Sequence, residues 1–160
     1  MPLKWAGDLI REKKFLNRIY QDFYTVFKNT KHPPGTVVEL GSGAGFIKQV
    51  MPSIITSDVL KGPDINKVFF AEKMPFKNSS IAAFLMIDVL HHIKDPEQAF
   101  TEMARCLKQD GKIVMIEPFN SFWGGLIYRY LHYEYFNPNA GWKVKGKGRM
   151  SDSNTALPWI

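Results

Sequence analysis

The chain has 160 residues, 45% of them hydrophobic, which is enough for one domain with a real core and too few for two ordinary ones. Its formal charge of +6 suits an anionic partner but does not by itself indicate nucleic acid. The single cysteine, Cys106, excludes an internal disulfide, and the four histidines show no ligand spacing, so a reducing, cytoplasmic setting without a metal is expected.

In chain order, Leu16, Ile19, Tyr20, Phe23 and Phe27 recur at steps of three and four and predict an amphipathic helix within Met1 to Thr30. The same stretch mixes charge and aromatics, unlike a secretory leader, and the longest apolar run, Ile81 to Ile87, is far too short to span a bilayer. Pro33-Pro34-Gly35 breaks the helix, and Thr36 to Leu40 reads as a buried first strand. A short helix over Gly45 to Met51 follows, ended by Pro52. Ile54 to Asp58 and Val68 to Ala71 read as strands two and three, and Ile81 to Ile87 as a central strand covered on both faces.

The next helix carries the clearest signals. Asp95 can cap it, Pro96 suits its first position, and Gln98 completes a capping box. Ala99, Phe100, Met103, Ala104 and Leu107 make its apolar stripe, and Asp110-Gly111 turns the chain into strand five, Lys112 to Glu117. Strands alternating with helices imply a parallel sheet with right-handed crossovers, an α/β fold. Beyond Pro118 the chain is crowded with aromatics up to Trp142 and then basic from Lys143 to Arg149, and periodicity assigns no element.

Glu39-Leu40-Gly41-Ser42-Gly43-Ala44-Gly45 ends a predicted strand and opens a predicted helix, where a glycine turn can bring backbone N–H groups against a ligand. A plain tight turn is the alternative. A dinucleotide fingerprint would need its third glycine at position 46, which is Phe46, so NAD and FAD are disfavoured.

This segment resembles motif I of the class I S-adenosylmethionine-dependent methyltransferases, and the resemblance extends from Thr36 to about Pro118. It implies a Rossmann-like three-layer sandwich with a mainly parallel sheet in the order 3-2-1-4-5, the family's terminal antiparallel hairpin being missing from this chain. It further implies S-adenosyl-L-methionine as cofactor: Glu39 and the backbone of Gly41, Ser42, Gly43 and Gly45 would hold the methionine end and Asp58 the ribose. The Ala71 amide would meet adenine, with Glu72 and Met74 nearby, and Asp88 would line the pocket near the sulfonium. Phe70 stands where many relatives carry an aspartate.

His91 and His92 follow strand four, on the side where open parallel sheets bind ligands. Val89-Leu90-His91-His92 is similar to the segment in which plant phenolic O-methyltransferases place a catalytic histidine. The resemblance makes His91 the candidate general base, against a packed or merely structural histidine.

No Asp-Pro-Pro-Tyr or Pro-Cys sequence points to methylation of a nucleic-acid base, so a small-molecule acceptor is expected. A cofactor-binding module without turnover is the alternative, followed by an RNA methyltransferase using Lys143 to Arg149. The aromatic run from Phe119 to Tyr130, with Gly124-Gly125 as a possible hinge, is core, acceptor wall or, less favoured, a membrane-touching surface. One domain over 1–160 is expected: helical 1–34, cofactor core 35–118, and an acceptor-side tail 119–160 that reads as truncated. An uncovered strand five would then permit self-association.

Overall fold

The computed structural model describes residues 10, 12–119, 121–132, 134–143 and 153–159. Helix α1, Lys14–Asn29, precedes strand β1, Thr36–Glu39, and a 3-10 turn at Ile47–Gln49 leads to β2, Ile55–Asp58. Strand β3 is only Lys67–Val68, and β4 is Ile81–Ile87. A 3-10 turn at Leu90–His92 opens into α2, Pro96–Cys106, which runs directly into β5, Leu107–Ile116. Helix α3, Phe122–Tyr130, and a last 3-10 turn at Leu157–Trp159 complete the described chain.

The strands form one parallel sheet in the order β3-β2-β1-β4-β5, as expected. Its register is set by the apolar strands: Val38 of β1 pairs with Ile55 on one side and Phe84 on the other. Strand β4 lies inside, and its alternate side chains feed two cores. Phe84 and Met86 join Val38, Leu40, Ala99 and Met103 under α2, while Ala83 and Leu85 join Tyr24, Phe27, Phe46 and Ile47 under α1. Helix, sheet and helix thus make the three layers.

Several expectations change, among them strand three, which spans Lys67–Val68 and not Val68 to Ala71. The helix after the glycine turn is a single 3-10 turn, because Pro52 leaves it no length to propagate. The stripe of α1 includes Tyr24, fully buried, and on α2 Cys106 is buried where Ala104 is exposed. Strand β5 begins at Leu107, not Lys112. It pairs Leu107 with Ile81 and Lys112 with Ala83, and the excess residues bulge at Asp110, whose φ is +61°. Gly124 and Gly125 lie inside α3 behind the Ser121 cap, so they are not a hinge between elements.

Among the described residues β5 pairs only with β4. Helix α3 has no buried residue, and Phe122 and Trp123 stand open to solvent. Residues 153–157 instead turn inward: Asn154 N–H donates to the His91 carbonyl at 2.9 Å, and Leu157 enters the core under α2. No helix among the described residues is long and apolar enough to cross a membrane.

Candidate functional site

The carboxyl ends of β1, β2, β4 and β5 gather the polar residues, as open parallel sheets require of a ligand site. At the end of β1, Glu39 is buried, and its Oε2 has no hydrogen-bond partner among the described residues. Burial pushes its carboxyl up to about 7; a hydrogen bond from Ser42 opposes this, and the Asp58 charge adds to it. An unpartnered buried carboxylate oxygen costs free energy unless something meets it, and a cationic ligand would do so.

The turn beyond Glu39 is held open by glycine. Gly41 and Gly43 have φ of +62° and +51°, and a Cβ on Gly41 would stand 2.5 Å from Val89 Cγ2. Ser42 N–H donates to Ser57 O at 2.8 Å, and Ser57 Oγ–H to Glu39 O at 2.7 Å, tying the turn to β2. Gly43 N–H donates to Asp58 Oδ2 at 2.9 Å, and Leu60 N–H to Asp58 Oδ1 at 2.8 Å. Each Asp58 oxygen still has a lone pair for a hydroxyl donor. A Cβ on Gly45 would meet Ser42 O at 2.6 Å and the Tyr24 hydroxyl at 3.2 Å, so α1 closes over this turn. Phe46 packs edge-on against Tyr24 at 5.1 Å, so the side chain that breaks the dinucleotide pattern is a core residue.

The adenine-side candidates separate. Ala71 is half-buried against the core, Met74 is buried within it with its N–H bonded to Glu102 Oε2, and Glu72 Oε1 accepts from Asp95 N–H at the start of α2. Glu72 therefore serves a helix start as well as any loop. Phe70 is exposed.

At the end of β4, Asp88 is exposed and holds φ of +54°, a conformation that costs a non-glycine residue. Desolvation, then the charges of Glu117 and Glu134, raise its pKa. Tyr20 of α1 reaches the same region: burial and the Asp88 and Glu39 charges raise its hydroxyl pKa. His91 lies deeper. Its Nδ1 is 3.0 Å from Glu117 Oε2 and its Nε2 is 3.5 Å from Glu134 Oε2. Burial alone would lower its pKa, but the two carboxylates outweigh that and push it up to about 9. At neutral pH His91 is thus an imidazolium with both ring nitrogens facing carboxylates. A base must first shed a proton and a partner.

The residues that sequence reasoning missed are Tyr20, Ser57, Glu117 and Glu134. Glu117 had a signal, since an acid just past a parallel strand lies on the ligand side. Glu134 had none, because its partners are distant in sequence. Lys143 pairs with Asp95 at 2.6 Å, and the rest of the basic segment, 144–149, lies outside the described residues. A cavity lined by Gly35, Thr36, Met51 and Ser53 opens at the opposite end of β1 and has no ionisable lining residue.

Comparison with known proteins agrees with this arrangement. Residues 38–115 match the family profile described as a methyltransferase domain. A structure of a Thermotoga maritima protein, described as a SAM-dependent methyltransferase and possible histamine N-methyltransferase, superposes with a TM-score of 0.57 at 29% identity. That match covers 69% of this chain and 57% of the Thermotoga chain, so this chain spans little more than half of its relative's length. Proteins from Pyrococcus horikoshii (TM-score 0.53, 23% identity, 66% and 59% covered) and Methanococcus maripaludis (0.55, 17%, 80% and 70%) share the fold. No curated protein matches the chain. The acid-and-glycine turn, the strand order and the match over residues 38–115 are all consistent with a class I S-adenosylmethionine-dependent methyltransferase domain, and they imply S-adenosyl-L-methionine as its cofactor.

Proposed function

We propose that this domain transfers a methyl group from S-adenosyl-L-methionine to a small-molecule acceptor lying beyond the carboxyl ends of β4 and β5. The observation that carries the cofactor half is the orphaned Oε2 of Glu39 beside a turn that only glycines can form. When bound, the cofactor supplies a methyl already activated on a sulfonium, so the protein's part is to align a nucleophile and exclude water. Glu39 would receive the methionine ammonium and Asp58 the ribose hydroxyls; the Ser42, Gly43 and Gly45 amides already donate to Ser57 O, Asp58 and Ser42 O, so those of Gly41 and Ala44 would meet the methionine carboxylate. Ala71, Glu72 and Met74 border the adenine side.

Asp88, with its positive φ and the Glu117 and Glu134 charges beside it, would line the pocket near the sulfonium. An acceptor hydroxyl must lose its proton. His91 is the base candidate by position, and acting as one requires that it leave its carboxylate clamp.

Calorimetric titration with S-adenosylhomocysteine and with NAD tests the cofactor assignment: homocysteine-form binding without comparable NAD binding is expected, and the reverse overturns it. With an acceptor in hand, His91→Ala separates two roles. A base loses ~10²-fold in kcat with cofactor affinity and stability kept, whereas a clamp loses stability too.

A further inference from the structure

Two adjacent histidines and an acid from a distant part of the chain converge just beyond β4. His91 Nε2 lies 3.5 Å from Glu134 Oε2, and His92 Nε2 lies 3.7 Å from Glu134 Oε1. One donor atom from each of the three lies within 4.8 Å of the others. Imidazole and carboxylate donors bound at about 2.0–2.2 Å around a tetrahedral ion stand roughly 3.3–3.6 Å apart. The two histidine–carboxylate separations are thus close to those of a ligand set, and the two imidazole donors, within 4.8 Å of each other, would draw together on an ion.

The surroundings are those of a built site. His91 Nδ1 faces Glu117 Oε2 at 3.0 Å, which leaves Nε2 as the nitrogen turned toward Glu134. A carboxylate on the far nitrogen is the arrangement that orients metal-bound imidazoles and raises their basicity. Glu117 is itself fixed, its Oε1 accepting from Val89 N–H at 3.0 Å and Leu90 N–H at 2.7 Å. The backbone of His91 is pinned by Asn154. Asp88 and His132 also act on this cluster, so three carboxylates crowd it. His91 and Glu134 are largely covered, while the His92 side chain is 31% exposed and gives an ion a way in.

We propose that His91 Nε2, His92 Nε2 and Glu134 bind one divalent transition-metal ion, with Glu117 as the orienting partner of His91. Two imidazoles and one carboxylate suit zinc, cobalt or nickel rather than magnesium or calcium, which take all-oxygen shells. Three protein ligands leave a fourth position for water or another oxygen donor. The proposal does not depend on cofactor binding, and a metal on Nε2 with Glu117 on Nδ1 would leave His91 no free nitrogen to act as a base.

The full chain, stripped with chelator, is dialysed against Zn²⁺ and the bound metal counted; Co²⁺ is then added as a spectroscopic probe. One equivalent per chain is expected, with tetrahedral-type cobalt absorption and no displacement by excess Mg²⁺. His92→Ala, at the most exposed of the three ligands, should weaken Zn²⁺ binding at least ~100-fold while thermal unfolding in chelator is unchanged. Glu117→Gln should weaken it by ~10–100-fold. No stoichiometric metal, or Zn²⁺ binding unchanged in His92→Ala, would leave the cluster as a proton-bridged ion-pair network and overturn the proposal.

Discussion

The amide of Gly43 and the carboxylate of Asp58 close the cofactor turn onto β2 with a bond of 2.9 Å, and the other Asp58 oxygen holds Leu60 N–H at 2.8 Å. Asp58 therefore shapes the turn whether or not a ribose is present. Asp58→Ala should lower unfolding free energy by about 1–3 kcal/mol through two lost charge-assisted bonds, and weaken S-adenosylhomocysteine binding ~10-fold or more. Denaturant unfolding and calorimetry read the two effects separately. Unchanged cofactor affinity would remove Asp58 from the ribose site.

Glu39 gives the cofactor-free protein a pH signature. Its folded-state pKa is pushed up to about 7, above the unfolded value of 4.5, so the neutral carboxyl favours the folded state. That contribution is fully present below about pH 4.5 and is lost as pH rises through about 7, a change of about 3 kcal/mol at most. Glu39→Gln, always neutral, should flatten this part of the profile and be relatively more stable at pH 8 than at pH 5. Urea unfolding at the two pH values measures it, and a wild-type chain that gains on Glu39→Gln as pH rises contradicts the assignment.

Binding should run the other way. A cationic methionine end favours ionised Glu39, so affinity for S-adenosylhomocysteine should rise with pH between about 5 and 8 in wild type and be flat and weak in Glu39→Gln. Calorimetry across that range is the check; a wild-type profile as flat as the variant's would place the orphaned oxygen outside the cofactor site.

Gly41 has both a positive φ and Val89 in the path of any side chain. Gly41→Ala should cost about 2–4 kcal/mol from left-handed strain and overpacking together. Adding Val89→Ala should recover the steric part only, giving a favourable coupling in a double-mutant cycle. Strict additivity would mean that the close approach is not felt.

Glu117 accepts from two backbone amides and from His91 Nδ1. Its replacement by alanine leaves Val89 and Leu90 amides and a buried imidazole without their partner, for an expected loss of about 2–4 kcal/mol. Thermal unfolding in chelator measures it. A loss below about 0.5 kcal/mol would show that the turn after β4 is held by other means.

The layer order and the cofactor turn were legible in the chain because their signals are local. An apolar run such as Ile81 to Ile87 can only be an interior strand, Asp95-Pro96 can only begin a helix, and Glu39 with its glycines places an acid and a tight turn side by side in sequence. Local signals also misled where length mattered, as in the single 3-10 turn that replaces a helix before Pro52. What only the tertiary structure decided is the partnership of each acid. Glu72 is drawn to Asp95, Glu39 is left with an unmet oxygen, and Glu117 and Glu134 close on His91 from separate segments. Those pairings depend on where the end of β5 and the tail return to the sheet, a matter of long-range packing, and electrostatic contact in space has no period in sequence.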